Sequence, residues 1–341
     1  MILSPIESKL FFSKNDPRDV RLGDLAKPLS VPGASSELAQ ALKAKANPSP
    51  SVPLVTLTGY PDDEGILKNG GRIGAAEGPD RIRNYLYKMT PPAFIQDAVN
   101  LLDLGNLAPD RNGDLTSRHQ AARDIATASL QAGARALTFG GGHDYGFPDA
   151  AAYCSWSLSQ TQIGASQPKP IAPLVINFDA HLDVRPLDHG LTSGTPFFRL
   201  LEEFPEIDFV ELGIQSQCNS KDHVQWLREK GGRIIFEEER VAKNCSLSSA
   251  LLDLLGDGAL RRRSAFISVD IDGFSSAYAP GASQSWPTGF SPDDFFRCLS
   301  WCFSRFDVRG LGIYEVAPRL DIDDRTSRLA ALIAHRFMFQ L

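Results

Sequence analysis

The chain has 341 residues, of which 43% are hydrophobic, and its 35 Lys and Arg face 41 Asp and Glu, a formal net charge of −6. A chain of this length buries roughly 75% of its unfolded surface, so one large domain or two ordinary ones would fit. The acidic excess argues against a general binder of nucleic acid or of anionic membranes, because such proteins usually carry a basic excess. No run approaches the roughly 18–20 apolar residues of a membrane span, and the N-terminus lacks the pattern of a signal peptide.

Cysteine usage favours reduced thiols in a cytoplasmic protein over a framework of disulfides. The five cysteines are odd in number, scattered, and form no Cys-x-x-Cys pair; they are Cys154, Cys218, Cys245, Cys298 and Cys302.

Residues 1–50 are punctuated by prolines and are predicted to form an N-terminal arm, whereas residues 51–341 are predicted to form one catalytic domain. In the domain, short apolar runs alternate with helix-like segments. The predicted strands are Leu54–Thr58, Asn100–Leu104, Ala134–Phe139, Leu174–Phe178, Ile207–Leu212, Arg233–Phe236, Ala265–Val269 and Leu311–Tyr314. The predicted helices include Gly78–Tyr87, Ser117–Ala132, Ser220–Lys230, Ser246–Leu255 and Pro292–Phe303, while Ser155–Lys169 is predicted to be a surface loop. Alternating strands and helices indicate a three-layer α/β/α sandwich with a mainly parallel sheet of about eight strands.

Three predicted strands run directly into clusters of residue types that commonly serve as metal ligands. They lead into the segments Gly140–Asp144, Asp179–Asp183 and Asp270–Asp272. Ligands of open parallel sheets bind at the carboxyl ends of the strands. In extended backbone, residues two apart point to the same side, so Asp179, His181 and Asp183 can converge. We therefore expect one shared site, which also contains His143, Asp270 and Asp272.

Four buried carboxylates facing one another resist ionisation unless cations balance them. Mixed imidazole and carboxylate ligands suit Mn²⁺, Fe²⁺, Co²⁺ or Zn²⁺, and a majority of oxygen ligands favours Mn²⁺. Six ligands are too many for one catalytic ion and fit two. Each motif alone also has a structural explanation, as a turn, a helix cap or a buried histidine, but three at strand ends favour a bimetal site.

These motifs resemble those of the ureohydrolases, the superfamily of arginase, agmatinase and formimidoylglutamase. The resemblance covers about residues 51–341, and it includes the loop 62–80 and the segment 315–329 that follows the last strand. It implies the arginase-like three-layer fold and two Mn²⁺ per chain. One ion would bind His143, Asp179, Asp183 and Asp270, and the other His181, Asp179, Asp270 and Asp272. The resemblance also implies a hydroxide nucleophile, proton transfer by Asp183, and Glu315 as the carboxylate that receives the cationic C–N group.

Departures from arginase and agmatinase patterns favour formimidoylglutamase within this superfamily. The motif histidine has Gly142 before it and Asp144 after it, close to a Gly-Gly-Gly-His-Glu pattern. Ser193 occupies the position where arginases and agmatinases usually have a second, proton-shuttling histidine. The segment 273–281 replaces their usual Asp-Pro. His189, in the same loop as Ser193, is a second possible shuttle.

A substrate with two carboxylates, such as N-formimino-L-glutamate, needs cations in the pocket, and an arginine fork suits a carboxylate. Arg185 is the first candidate and Arg72 the second, although a structural salt bridge is the alternative for each. His119, His223 and His335 fall on predicted helices and are interpreted as structural or surface residues. Tyr145 and Trp286 are left open as lining residues.

The predicted function is hydrolysis of N-formimino-L-glutamate to L-glutamate and formamide, as in histidine degradation. Two alternatives stay open: a guanidino-compound hydrolase that releases urea from agmatine, guanidinobutyrate or arginine, and a non-catalytic ureohydrolase-like binding protein. The predicted partner is a small anionic substrate derived from an amino acid, with no nucleic acid and no membrane. A homo-oligomer that uses the N-terminal arm is possible.

Overall fold

The computed structural model describes residues 3–29, 35–45, 52–95, 99–108, 113–163, 172–256 and 263–340. Ten strands of these residues form one sheet. They are β1 Leu3–Ser4, β2 Lys27–Pro28, β3 Leu54–Gly59, β4 Asn100–Leu107, β5 Arg135–Phe139, β6 Leu174–Phe178, β7 Asp208–Ile214, β8 Arg233–Phe236, β9 Ser264–Asp270 and β10 Asp307–Tyr314.

Helices connect the strands. They are α1 Leu22–Leu25, α2 Ser35–Lys45, α3 Glu64–Lys68, α4 Gly78–Leu86, α5 Leu115–Gln131, α6 Gly146–Ile163, α7 Pro196–Glu203, α8 Lys221–Glu229, α9 Glu237–Ala242, α10 Leu247–Leu255, α11 Pro292–Arg305 and α12 Arg325–Phe339. Four of them begin where a side chain accepts a hydrogen bond from the first turn, at Asp114, Ser220, Ser246 and Ser291. Ser and Asp are favoured there because their oxygens satisfy a backbone N–H that has no partner in the helix.

The sheet has the lateral order β1-β4-β3-β5-β10-β9-β6-β7-β8, with β2 also paired to β4. Each described pair is parallel except β1 with β4. All eight predicted strands are present, so the predicted three-layer, mainly parallel fold is confirmed. The two additional strands are two residues long and lie in the predicted N-terminal arm.

Strand β6 shows why these runs lack the in–out alternation of a half-exposed sheet. Every one of its side chains is buried. Leu174, Ile176 and Phe178 pack into one hydrophobic cluster, whereas Val175 packs into a second. Because successive side chains of a strand point to opposite faces, the two clusters lie on the two sides of the sheet.

The predicted surface loop Ser155–Lys169 is wrong for its first half, since α6 continues to Ile163. Buried Tyr153 and Cys154 anchor this helix on its inner side, and a helix fixed in that way tolerates Ser and Gln on its outer side. Residues 164–169 lie outside the described residues. Among the described helices, none combines the length and the hydropathy that crossing a bilayer requires.

Candidate metal centre

The candidate site lies at the carboxyl ends of four neighbouring strands, β5, β10, β9 and β6. His143 follows β5, Glu315 follows β10, Asp270 ends β9, and the segment from Asp179 to Asp183 follows β6. Asp183 and Glu315 have positive φ values, 49° and 63°. Such backbone is rare for residues with a Cβ and clusters at functional sites, where the surroundings hold it in place.

A first group of ligands surrounds the His143 imidazole. Its Nδ1 lies 3.1 Å from Asp179 Oδ2, 2.9 Å from Asp183 Oδ2 and 3.1 Å from Asp270 Oδ2. Yet this fully buried nitrogen forms no hydrogen bond. One nitrogen and three carboxylate oxygens therefore converge without satisfying one another, as expected of atoms that share a cation.

A second group surrounds the His181 imidazole. Its Nδ1 lies 3.6 Å from Asp179 Oδ1 and 3.2 Å from Asp272 Oδ2. Candidate ligand atoms within each of the two groups lie within 4.8 Å of one another. Asp179 belongs to both groups through its two different oxygens, whereas Asp270 belongs to the first group. The six predicted ligands are thus brought together, and the geometry suits a carboxylate bridge at Asp179. A second bridge at Asp270 stays a prediction.

The electrostatics of the two groups call for added positive charge. Burial raises the pKa of Asp183 to about 6, with help from the Asp179 charge, and burial also raises the pKa values of Asp270 and Asp272. Burial acts on Asp179 in the same direction, but the two neighbouring imidazoles outweigh it and lower its pKa. Burial lowers the pKa of His143, but the surrounding carboxylates raise it well above its ordinary value. Two divalent ions would remove this conflict, so the donor set fits them.

Glu315 is held beside the first group. Its Oε1 accepts a hydrogen bond of 3.0 Å from the backbone N–H of His143. Burial raises the pKa of Glu315 well above its ordinary value, and the charge of Asp270 adds to this effect. Glu315 lines the cavity together with the candidate metal ligands, so its carboxylate can receive a cationic group of a substrate.

A cavity of about 300 Å³ opens onto the two groups. Its size suits a small metabolite. The metal-centre residues that line it are His181, Asp183, Asp270, Asp272 and Glu315, and the other polar or aromatic residues are Asn69, Arg185, Ser193, Cys218, Asn219, His223, Ser283, Gln284 and Trp286.

Arg185 and Ser193 line this cavity, but Arg72 is not among its lining residues. Arg185 is exposed, and among the described residues its guanidinium has no ion pair. It lies across Gly194, where a Cβ would be 2.7 Å from Arg185 Cδ. Ser193 Oγ accepts a hydrogen bond of 3.1 Å from Asn69 Nδ2.

Arg72 instead ties two loops together. Its Nε donates to the Ser283 carbonyl at 2.9 Å, and its Nη2 donates to the Ala282 carbonyl at 3.0 Å. The structure therefore gives Arg72 a structural contact and does not bring its guanidinium to the cavity.

The histidines assigned to helices separate into two kinds. His119 is buried and bonded to Asp144 Oδ2 at 2.7 Å, and His335 contacts the Thr90 carbonyl at 2.9 Å. His223 instead lines the cavity, and burial and the Arg185 charge lower its pKa. Its position in the first turn of α8, after strand β7, was a usable signal, because that turn faces the carboxyl edge of the sheet.

The structure also gives the positions of the remaining residues whose roles the sequence left open. His189 is exposed in the short helix Leu187–His189 and is not among the lining residues. Trp286 lines the cavity, whereas Tyr145 is buried and donates a 2.7 Å hydrogen bond to Asp62. All five cysteines are free.

Comparison with known proteins agrees with this architecture. A model of the Arginase family matches residues 54–340. The formimidoylglutamase of Staphylococcus haemolyticus is 28% identical over 83% of this chain and 85% of its own length. The crystal structure of Trypanosoma cruzi formiminoglutamase with Mn²⁺ has a TM-score of 0.72 at 27% identity, covering 90% of this chain and 98% of that chain. Proclavaminate amidino hydrolase of Streptomyces clavuligerus has a TM-score of 0.69 at 25% identity, and the match covers 86% of this chain and 93% of that chain. The chain therefore belongs to the Arginase family of hydrolases, and the predicted likeness to formimidoylglutamases is confirmed.

Proposed function

We propose that this protein is a two-manganese hydrolase that converts N-formimino-L-glutamate and water to L-glutamate and formamide, a step of histidine degradation. One observation carries the proposal. Two groups of metal-ligand residues share Asp179, and they open into a cavity that also presents Arg185, a cation without an ion pair among the described residues. The names of the Staphylococcus and Trypanosoma relatives support the same substrate.

In this proposal, His143, Asp179, Asp183 and Asp270 hold one Mn²⁺, and His181 and Asp272 hold the other together with Asp179 and Asp270. When bound, such ions act as Lewis acids and lower the pKa of water. Nitrogen and carboxylate ligands in this mixture suit Mn²⁺, although Fe²⁺ and Co²⁺ share the preference.

Two carboxylates of the chain have separate roles in this proposal: Glu315 binds the substrate and Asp183 transfers a proton. Glu315 holds the cationic formimino group, because its Oε1 is fixed by the His143 backbone N–H. A carboxylate oxygen of Asp183 accepts the proton of the attacking water and passes it to the leaving nitrogen. Water adds to the formimino carbon, the bond from that carbon to the glutamate nitrogen breaks, and the protonated amine leaves as glutamate.

The other end of the substrate needs groups that bind carboxylates. Arg185 provides a fork of donors, and His223 and Asn69 add polar groups in the same cavity. Ser193 lines the cavity as well and binds the substrate in this proposal. We do not assign this task to Arg72, whose guanidinium is engaged by two backbone carbonyls.

A panel of substrates tests the proposal. Manganese-loaded enzyme is incubated with N-formimino-L-glutamate, agmatine, guanidinobutyrate and arginine, and formamide and urea are measured separately. We expect formamide from the first compound and little urea from the others. His189→Asn is a matched control, because this exposed histidine lies outside the cavity lining, and it should behave like the wild type.

The panel also decides between the alternatives. Urea release from a guanidino substrate, with no formamide from formiminoglutamate, would favour the second candidate function, a guanidino-compound hydrolase. The structural likeness to an amidino hydrolase supports this alternative. A chain that binds less than about one Mn²⁺ and turns over none of the compounds would instead be a non-catalytic binding protein. Light scattering of the same samples tests the proposed homo-oligomer.

A further inference from the structure

A row of laterally paired positions crosses the sheet just below the metal centre. From β3 to β7 it consists of Thr58, Thr138, Gly312, Ser268, Asn177 and Glu211. The five side chains in it are polar and at most 3% exposed. Because side chains alternate along a strand, Asn177 and Ser268 point to the same face as Asp179 and Asp270, two residues further on. The row therefore lies directly beneath the ligands.

Two members of the row contact ligands. Ser268 Oγ lies 2.8 Å from His143 Nε2, and Asn177 Nδ2 donates to Asp179 Oδ2 at 3.1 Å. The second hydrogen bond of the Asn177 amide nitrogen goes to Glu211 Oε2 at 2.8 Å. Both N–H groups of this amide are thus used, one toward the ligand and one toward Glu211.

Glu211 is an unusual residue for this position. It is fully buried, none of the described cations forms an ion pair with it, and its Oε1 has no hydrogen-bond partner. Burying a carboxyl group under these conditions costs stability. A fully buried residue of this kind on β7, one strand from the edge of the sheet, calls for a compensating function.

That function follows from the chemistry of the amide. Asn presents two donors on one side and an acceptor on the other, and a rotation of 180° exchanges them. The rotated amide would place Oδ1 of Asn177 against the Asp179 carboxylate, and two acceptors would repel. Glu211 accepts from the same nitrogen on the other side, so it favours the orientation in which nitrogen faces Asp179.

We propose that Glu211 is a positioning residue of the metal centre: it fixes the Asn177 amide, which fixes the Asp179 carboxylate shared by the two ligand groups. This inference rests on the proposed dimetal site. It adds a residue two hydrogen bonds away from the nearest ligand. Groups that hydrogen-bond a ligand directly, as Asn177 does, commonly change metal affinity by about 10–100-fold when they are replaced, and Glu211 acts through that group.

Manganese binding by metal-free protein, followed by the electron paramagnetic resonance of free Mn²⁺, tests the proposal. Glu211→Met keeps the volume but removes the acceptor. Because Glu211 acts through Asn177, we expect Mn²⁺ affinity to fall by about 10-fold, the lower end of that range. Glu211→Gln can turn its amide oxygen toward Asn177 and should restore affinity to within about threefold of the wild type. Thr58→Val, which removes a buried hydroxyl at the far end of the same row, should leave affinity unchanged.

The unfolding temperature of the metal-free variants separates positioning from simple stability. A Glu211→Met protein that is less stable but binds Mn²⁺ like the wild type would overturn the proposal, and so would equal losses of affinity in the Met and Gln variants. Should the Met variant not fold, Asn177→Ala decides, since it removes the donor to Asp179 and must weaken Mn²⁺ binding. If wild-type protein itself fails to bind Mn²⁺, the proposed function falls, whereas wild-type binding with an unaffected variant rejects Glu211 alone.

Discussion

Replacing Arg185 separates substrate recognition from metal binding. Arg185 lines the cavity and is exposed, and its guanidinium has no ion pair among the described residues. Arg185→Ala therefore breaks no described internal bond of this side chain. The backbone N–H of residue 185, which donates to the Gly194 carbonyl at 2.8 Å, is kept. We expect the variant to fold and to bind manganese as the wild type does.

The size of the effect follows from the lost hydrogen bonds. A hydrogen bond to a charged group contributes about 1.5–3 kcal/mol, and solvent screening at this exposed position favours the lower half of that range. Since about 1.4 kcal/mol corresponds to a factor of ten, KM for N-formimino-L-glutamate should rise by about 10–40-fold. Arg185→Lys keeps the charge but not the fork and should give a smaller rise.

The assay measures kcat, KM and bound manganese for the wild type and each variant. Gly194→Ala is a matched second perturbation, because its new Cβ would lie 2.7 Å from Arg185 Cδ and displace the side chain without removing the charge. It should raise KM less than Arg185→Ala. Loss of bound manganese in Arg185→Ala, or an unchanged KM, would refute the reasoning.

Two further predictions concern stability and pH. Arg83 is fully buried and holds Asp103 through bonds of 2.8 and 3.1 Å, so Arg83→Met leaves a buried carboxylate without its cation and should lower the free energy of unfolding by about 3–5 kcal/mol. Chemical denaturation measures this loss. Arg81→Met is the control, because the exposed ion pair of Arg81 should contribute less than about 1 kcal/mol to the free energy of unfolding. Equal losses in Arg83→Met and Arg81→Met would contradict the prediction. The pKa of His223 lies below its ordinary value because of burial and the charge of Arg185, so its imidazole is neutral above about pH 6.5 and gains charge as pH falls. Because the protonated ring attracts an anionic substrate, KM should decrease from about pH 7.5 to about pH 5.5 in the wild type and less so in His223→Asn; parallel KM profiles would contradict it.

The strands and the clustering of the candidate metal ligands could be predicted because both depend on local chemistry. Strand β6 consists of five consecutive apolar or amide residues, and β-branched and apolar runs of this length are typical of parallel strands buried on both faces. Residues two apart in extended backbone share a side, so the spacing of Asp179, His181 and Asp183 already predicts convergence. Parallel strands end at one edge, which places His143 and Asp270 near the same point.

Residues whose function depends on neighbours from other strands were harder to predict. Arg72 and Arg185 are both arginines in loops at the same edge, but Arg72 meets two backbone carbonyls and Arg185 meets the cavity. His223 was interpreted as a structural or surface residue of a helix, and the helix is present, yet its first turn faces the cavity. The spacing of residues within one segment does not predict contacts of this kind with other segments.

The sequence by itself determined the strand runs, the motif at the end of each strand, and hence the types of candidate ligand and their charge. Tertiary structure decided that β10 lies between β5 and β9, which brings Glu315 to the His143 backbone, and that Asn177 pairs with Glu211. The physical reason is that spacing along one strand fixes the side to which a residue points. Its lateral partners depend on strand order and register, which the packing of the whole sheet sets.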